Sequence, residues 1–220
     1  MVYHKIIIAF LLSVLFGNNC LAQHSDFSAL LKEGDIVFQH LNGGELSRAI
    51  DKVTVGYRGH DYNHCGLVVR VGDSLKVIEA IGENVHLSTI AAFEGRCPGN
   101  ELLIGRLHPK YGSLMVKAEK AAFSFLGVPY DDYFEMNNGR LYCSELIYEA
   151  FKVANNGKPF FVLEPMTFKD PETGRLFPSW VDYYEKLHHA IPQGKPGINP
   201  GLLSRSPKLI IIQLSQPGSK

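Results

Sequence analysis

A cysteine opens the helix-like run in "GRLYCSELIYEAF", Gly139 to Phe151. At helical spacing Cys143 shares a stripe with Leu146, Ile147, Ala150, Phe151 and Ala154, so its thiol faces the body of the protein. Free cysteine is among the most buried residue types, and core filling is one reading of that position. Chemistry is the other. The first turn of a helix presents unpaired backbone N–H groups and the positive end of the helix dipole, and both favour a thiolate. A thiolate is the nucleophilic form of cysteine, and the same N–H groups can hold an oxyanion.

Such a nucleophile needs a base, and nine histidines are available. His4 lies in the N-terminal apolar segment, His24 just after it, and His188 and His189 in a proline-rich tail. His64 differs, because it begins the β-rich run "HCGLVVRV" directly after the polar turn "GHDYN". Strand alternation puts His64, Gly66 and Val68 on one face and Cys65 and Leu67 on the other. The next run, "SLKVIEAI", is separated from it by Gly72-Asp73, a two-residue hairpin signal. That turn pairs Val71 with Ser74 and, counting back, sets Glu79 opposite Gly66. Glu79 then shares the face of His64 one diagonal step away, within reach for long side chains. A carboxylate there can hold the imidazole tautomer as the third member of a triad does. A solvated strand carboxylate is the alternative, but Val77, Ile78, Ala80 and Ile81 surround it, a poor setting for an unpaired charge.

The rest of the chain must position these three groups. With 220 residues, 45% hydrophobic and 20% charged, it can build one sizeable core. Lys plus Arg and Asp plus Glu are 22 each, so no basic stripe is available to neutralise phosphates, and nucleic-acid binding is not expected. Lys5 precedes the apolar run "IIIAFLLSVLF" and then "GNNCLA", which reads as a secretory signal cleaved after Ala22. The run is too short to span a bilayer. A lipoprotein anchored at Cys20 is the alternative, against the poor lipidation context of Gly17, Asn18 and Asn19. Cleavage leaves Cys65, Cys97 and Cys143, too few for a disulfide scaffold; the odd count points to a free thiol or an intermolecular pair, and a Cys65–Cys97 bond is left open. No Cys-x-x-Cys spacing occurs, and His64 and Cys65 point to opposite strand faces, so no metal site is expected, and no cofactor is called for.

A strand is expected from Asp35 to about His40, a helix in "GELSRAIDKVT", strands in "NVHLS" and "ELLIGRL" with a helical turn around Ile90 to Glu94 between them, and a helix in "LMVKAEKAAFSFLG" that Gly127 ends. Beyond Asn155 the chain carries 9 of its 12 prolines, interrupted by an amphipathic helix around Ser179 to His188 and a late strand "KLIIIQL". The order predicts an α+β domain with an antiparallel sheet packed against helices. The expected organisation is a signal at 1–22 and a single domain at 23–220, with its core at about 34–154 and a proline-rich wrap at 155–220.

Five motifs in order, "GDIVF", "NHCGLVV", "VIEAIGENV", "LGVPYDD" and "YCSELIYEAF", resemble the YiiX/YebB-like permuted papain-fold cysteine hydrolases, a branch of the NlpC-type superfamily. His64 and Glu79 precede the Gly127-Val128-Pro129-Tyr130 loop and Cys143, the order of the circularly permuted branch. The resemblance covers roughly Gly34 to Ala154. It implies Cys143 as nucleophile, His64 as general base and then acid, and Glu79 as orienting residue. Ordinary NlpC enzymes often carry histidine or a neutral polar residue in that third place. Tyr130 and Tyr142 stand beside motif residues as lips of a cleft, or as simple packing. Ser144 and Glu145 read as first-turn helix stabilisers. The implied activity is an exported thiol amidase or peptidase acting on an amide substrate, and kinship with NlpC enzymes favours peptidoglycan (murein) peptides. A lipid esterase or acyltransferase with the same triad, and a non-catalytic wall-binding module, are the alternatives. After signal cleavage no stable membrane span is expected.

Overall fold

The computed structural model describes residues 27–97 and 102–213; the signal segment and Cys20 lie outside the described residues. Residues Lys32–Gln213 form one compact unit, which carries the sheet and the helices, and a helical turn stands at 27–30.

After the Gly34 turn come β1 (Ile36–Gln39) and α1 (Gly44–Val53). The long hairpin follows as β2 (His64–Val71) and β3 (Ser74–Ile81), then β4 (Asn84–Thr89), the short α2 (Ile90–Glu94) and β5 (Leu102–Leu107). A 3₁₀ turn (Pro109–Leu114) leads into α3 (Met115–Ser124), and α4 (Cys143–Ala154) is the cysteine helix. The tail contributes β6 (Glu164–Pro165), α5 (Pro178–Lys186), β7 (Pro196–Gly197), α6 (Pro200–Ser204) and β8 (Leu209–Gln213).

β4-β3-β2-β1-β5-β8 form one six-stranded sheet, and every pairing in it is antiparallel. The Gly72-Asp73 turn gives the expected register, Val71 opposite Ser74 through to Leu67 opposite Ile78. One face carries Ile36, Phe38, Cys65, Leu67, Val69, Ile78 and Leu103, packed against Ala118, Ala121 and Ala122 of α3 and Leu146, Ile147, Ala150 and Phe151 of α4. The stripe expected of the cysteine helix is therefore its buried face. Truncating one of its large members to alanine would cost about 2–5 kcal/mol, the usual range for a filled core. The other sheet face buries Val37, Val68, Val77 and Ile104, and Phe93 of α2 is fully buried as well.

Gly66 is required by close approach: a Cβ there would stand 2.3 Å from Val77 Cγ1 and 3.3 Å from the Glu79 Cβ. Gly127, with φ of +83°, turns the chain after α3, as a helix-ending glycine does. The tail departs from expectation in three elements, the short β6 and β7, which pair with each other, and α6. α6 has Asn199 as its N-cap, accepting from the Leu202 N–H at 2.7 Å, and Pro200 in its first turn. A second apolar cluster of Ala49, Phe168, Trp180 and Tyr184 binds the tail to α1.

Candidate active site

α4 begins where the loop from Gly127 to Tyr142 ends, and that loop is fixed by a buried carboxylate. Asp131 accepts from the Tyr133 and Glu135 N–H groups at 3.0 and 2.7 Å and from Asn138 Nδ2 at 2.9 Å. Tyr142 is the N-cap and Cys143 the first helical residue, with no side chain of Tyr142 closing the first turn. Glu145 reaches back instead, its carboxyl accepting from the Tyr142 and Asn137 N–H groups. This is half of a capping box. Burial, with Asp131 nearby, pushes the Glu145 carboxyl up to about 8. Ser144 Oγ donates to the Ile198 carbonyl at 2.9 Å, so this residue ties the tail to the helix mouth.

The structure brings Cys143, His64 and Glu79 together. His64 is buried, and its Nε2 lies 2.6 Å from Glu79 Oε2. Its ring also hydrogen-bonds Cys143. With Nε2 committed to the carboxylate, Nδ1 is the nitrogen left for the sulfur. Phe93 packs beside the imidazole, ring centroids 5.9 Å apart. Glu79 is wholly buried, and its charge is met from two sides. Arg96 Nη2 donates to both carboxylate oxygens at 2.6 Å, and Ser88 supplies a further hydrogen bond. No spacing in the sequence announces Arg96, whereas Ser88 lies on β4 two residues on from His86, the cross-strand partner of Glu79.

The protonation states follow from these contacts. Burial opposes charge on His64, but the hydrogen bonds and charges of Cys143 and Glu79 outweigh it and raise its pKa to about 9. Burial likewise opposes charge on Glu79, and the His64, Ser88 and Arg96 contacts overcome it and lower the carboxyl to about 2. The Cys143 thiol is held well below its ordinary value, first by a hydrogen bond from Cys65 and then, against burial, by His64. At neutral pH the site is a thiolate–imidazolium–carboxylate chain. This pattern of opposed shifts in one place marks functional sites.

Cys65 adds a contact that strand alternation does not announce. Alternation sends His64 and Cys65 to opposite faces, yet both meet Cys143, because α4 abuts the very start of β2. Cys65 turns into the core beneath the helix mouth while His64 reaches the sulfur from the other side. Cys65, Cys97 and Cys143 are all free thiols, so no Cys65–Cys97 bond is formed.

A cleft of about 230 Å³ opens onto Cys143. Ile50 and Val53 of α1 form one wall, Tyr130, Phe134 and Tyr142 another, and Met166, Phe168, Trp180 and Ile198 of the tail a third. Among the described residues that line it, Glu164 is the only acidic one, and there is no Lys, Arg or His. Tyr130 and Tyr142, the expected lips, both line it. Tyr142 is largely spent on structure: its hydroxyl accepts from the Ile198 N–H at 3.2 Å and donates to Met136 Sδ at 3.4 Å. Burial and the neighbouring Cys143 charge hold the Tyr130 phenol above its ordinary pKa, so it remains a donor. Asn63 also lines the cleft; its amide donates to the Leu41 carbonyl, Ser47 Oγ and Asp51 Oδ1 at 2.9, 2.8 and 3.1 Å, fixing α1 beside His64. Among the described residues no group of three or more His, Cys, Asp or Glu side chains is arranged to hold a metal ion.

Residues 30–213 match the family model of the permuted papain-like amidase enzymes, the YaeF/YiiX, C92 family. The uncharacterized protein YiiX of Escherichia coli strain K12 is 30% identical over 125 residues, which are 55% of this chain and 57% of that protein. The alignment thus spans little more than half of the curated relative. The crystal structure of the metalloprotein YiiX from Escherichia coli O157:H7 superposes with a TM-score of 0.66 at 23% identity, covering 84% of this chain and 98% of that one. That likeness is one of fold.

Proposed function

The chain belongs to the permuted papain-like amidase family, and from that premise we propose that it is an exported cysteine amidase or peptidase working through Cys143, His64 and Glu79. The observation that carries this reading is the buried contact of all three groups, with Cys143 facing a cleft. The Cys143 thiolate attacks the amide carbonyl. The developing oxyanion is held by first-turn N–H groups of α4 and by the neutral Tyr130 hydroxyl. His64, protonated, gives its Nδ1 proton to the leaving amine, and a thioester to Cys143 remains. Neutral His64 then draws a proton from water, hydroxide attacks the thioester, and the acid is released as the thiolate–imidazolium pair re-forms. Glu79 keeps the imidazole in orientation throughout, with Arg96 holding Glu79. Export is supported by the apolar segment after Lys5, and murein peptides are the substrate class that an exported enzyme of this kinship would meet.

The apolar cleft supports a second reading of the acyl half. A free murein stem peptide carries carboxylates, and the described residues that line the cleft include no cationic side chain to receive them. A fatty acyl amide or ester fits such walls better. Hydrolysis of murein fragments, N-acyl amides and phospholipids by wild type, Cys143→Ala and His64→Ala separates these readings. Turnover of any of them that survives in Cys143→Ala would sink the mechanism; turnover of acyl lipids alone would move the substrate to the second reading.

A further inference from the structure

A second thiol stands against the nucleophile, and hydrolysis as described has no use for it. Cys65 is completely buried, the second residue of β2, and belongs to the same core cluster as Cys143. Its S–H hydrogen-bonds the Cys143 sulfur, and its backbone N–H donates to that sulfur as well. Two adjacent thiols are the arrangement from which a disulfide of ~2.05 Å closes. The third thiol, Cys97, is also buried but is not part of that cluster. Cys143 meanwhile lines the cleft, so a small oxidant can reach it.

We propose that Cys65 is the resolving thiol of Cys143: when a hydroperoxide oxidises Cys143, Cys65 closes a reversible Cys65–Cys143 disulfide that silences the site and shields it from irreversible oxidation. The inference rests on Cys143 being a reactive thiolate, the premise of the proposed function. In the first step the thiolate attacks the terminal oxygen of the hydroperoxide; an S–O bond forms, the O–O bond breaks, and an alcohol leaves, or water when the oxidant is hydrogen peroxide. Cys143 is then a sulfenate. In the second step the Cys65 sulfur attacks the Cys143 sulfur. Its thiol proton and the proton of His64 leave with the sulfenate oxygen as water, and the S–S bond forms. Two thiols have lost two electrons and one hydroperoxide has gained them. A low-pKa cysteine beside a second thiol is the arrangement from which sulfenic acid is trapped before it reaches the sulfinic stage.

The test uses the whole protein. Purified wild type receives two equivalents of hydrogen peroxide, and the unreduced digest is mapped by mass spectrometry. The expected product is a linked pair of peptides containing Cys65 and Cys143 with two hydrogens lost, and dithiothreitol restores both the thiols and the hydrolytic activity. In Cys65→Ser the same treatment takes Cys143 to the sulfinic acid, a gain of two oxygens that dithiothreitol does not reverse. Wild type that accumulates oxidised Cys143 without the link overturns the proposal, as does a Cys65→Ser protein that recovers under dithiothreitol as fully as wild type. If Cys65→Ser fails to fold, the wild-type map alone decides. The link is read by mass and needs no substrate, so its failure is distinguishable from failure of the amidase reading.

Discussion

The strand–helix junction and the tail that walls the cleft are built on different principles. At the junction, one hairpin and one helix terminus place His64, Glu79 and Cys143 through regular backbone geometry: the β2–β3 register sets the carboxylate beside the imidazole, and α4 delivers the sulfur to the start of β2. Around the tail, residues 164–168 and 197–200 line the cleft from short elements and the loops joining them, held by aromatic packing and by the bond from Ser144 Oγ to the Ile198 carbonyl. The difference teaches a division of labour. Reactive groups sit where a one-residue slip would be resisted by a whole sheet face, whereas the walls that meet the substrate sit on chain that can vary without disturbing them.

Changes at the junction should therefore abolish turnover, and changes in the walls should shift substrate affinity. The largest effect is expected from Cys143→Ala and His64→Ala, each lowering kcat by at least about a thousandfold in a steady-state assay while thermal stability stays close to wild type, since triad members fail as a unit. Next comes Glu79→Gln. It removes a charge and a hydrogen bond that raise the His64 pKa, so kcat should fall by roughly 10²-fold. The basic limb of the pH–rate profile, set by His64 at about 9, should also move to lower pH. A basic limb that stays in place would show that Glu79 does not act on His64.

The same carboxylate has a stability signature. Glu79 is depressed from 4.5 to about 2, so its contribution is complete above the higher value and is lost as pH falls through the lower. Acid unfolding of Glu79→Gln should lack that component, a difference readable by circular dichroism. Arg96→Gln should be milder. Arg96 is about a third exposed, and His64 and Ser88 continue to serve Glu79, so a loss of about tenfold in kcat with little change in KM is expected. The smallest effects belong to the walls. Val53→Thr and Met166→Gln should change KM for an apolar acyl substrate by about tenfold or less, as expected for a few methylenes' worth of contact. A fall in kcat as large as that of Glu79→Gln would erase the distinction between the two regions.

Legibility in the sequence follows the same division. The Gly72-Asp73 turn fixes a register, and from it the position of Glu79 opposite Gly66 could be counted; the apolar stripe of α4 likewise fixed the direction of Cys143. Both depend on local periodicity, which survives in a one-dimensional reading. Arg96 is 17 positions from Glu79 and arrives through the turn after α2, so no spacing announces it. The contact between Cys65 and Cys143 was hidden for a different reason: alternation describes the interior of a strand, and this contact occurs at its first residues, where a helix end meets both faces. α6 did carry a signal, Asn199 followed by Pro200, an N-cap and a first-turn proline. The tail's share of the cleft had none, because short elements and the loops joining them encode their position in contacts with the rest of the fold.

The most direct measurement is the rate of Cys143 alkylation by iodoacetamide across pH, in wild type and in His64→Gln, followed at the Cys143 peptide by mass spectrometry. A thiolate paired with His64 should react at a nearly constant rate from mildly acidic to neutral pH in wild type, and the rate in the variant should fall away on the acid side. A wild-type rate that climbs only as pH approaches the ~8.5 of an ordinary thiol, unchanged by loss of the imidazole, would contradict the pairing of these two side chains.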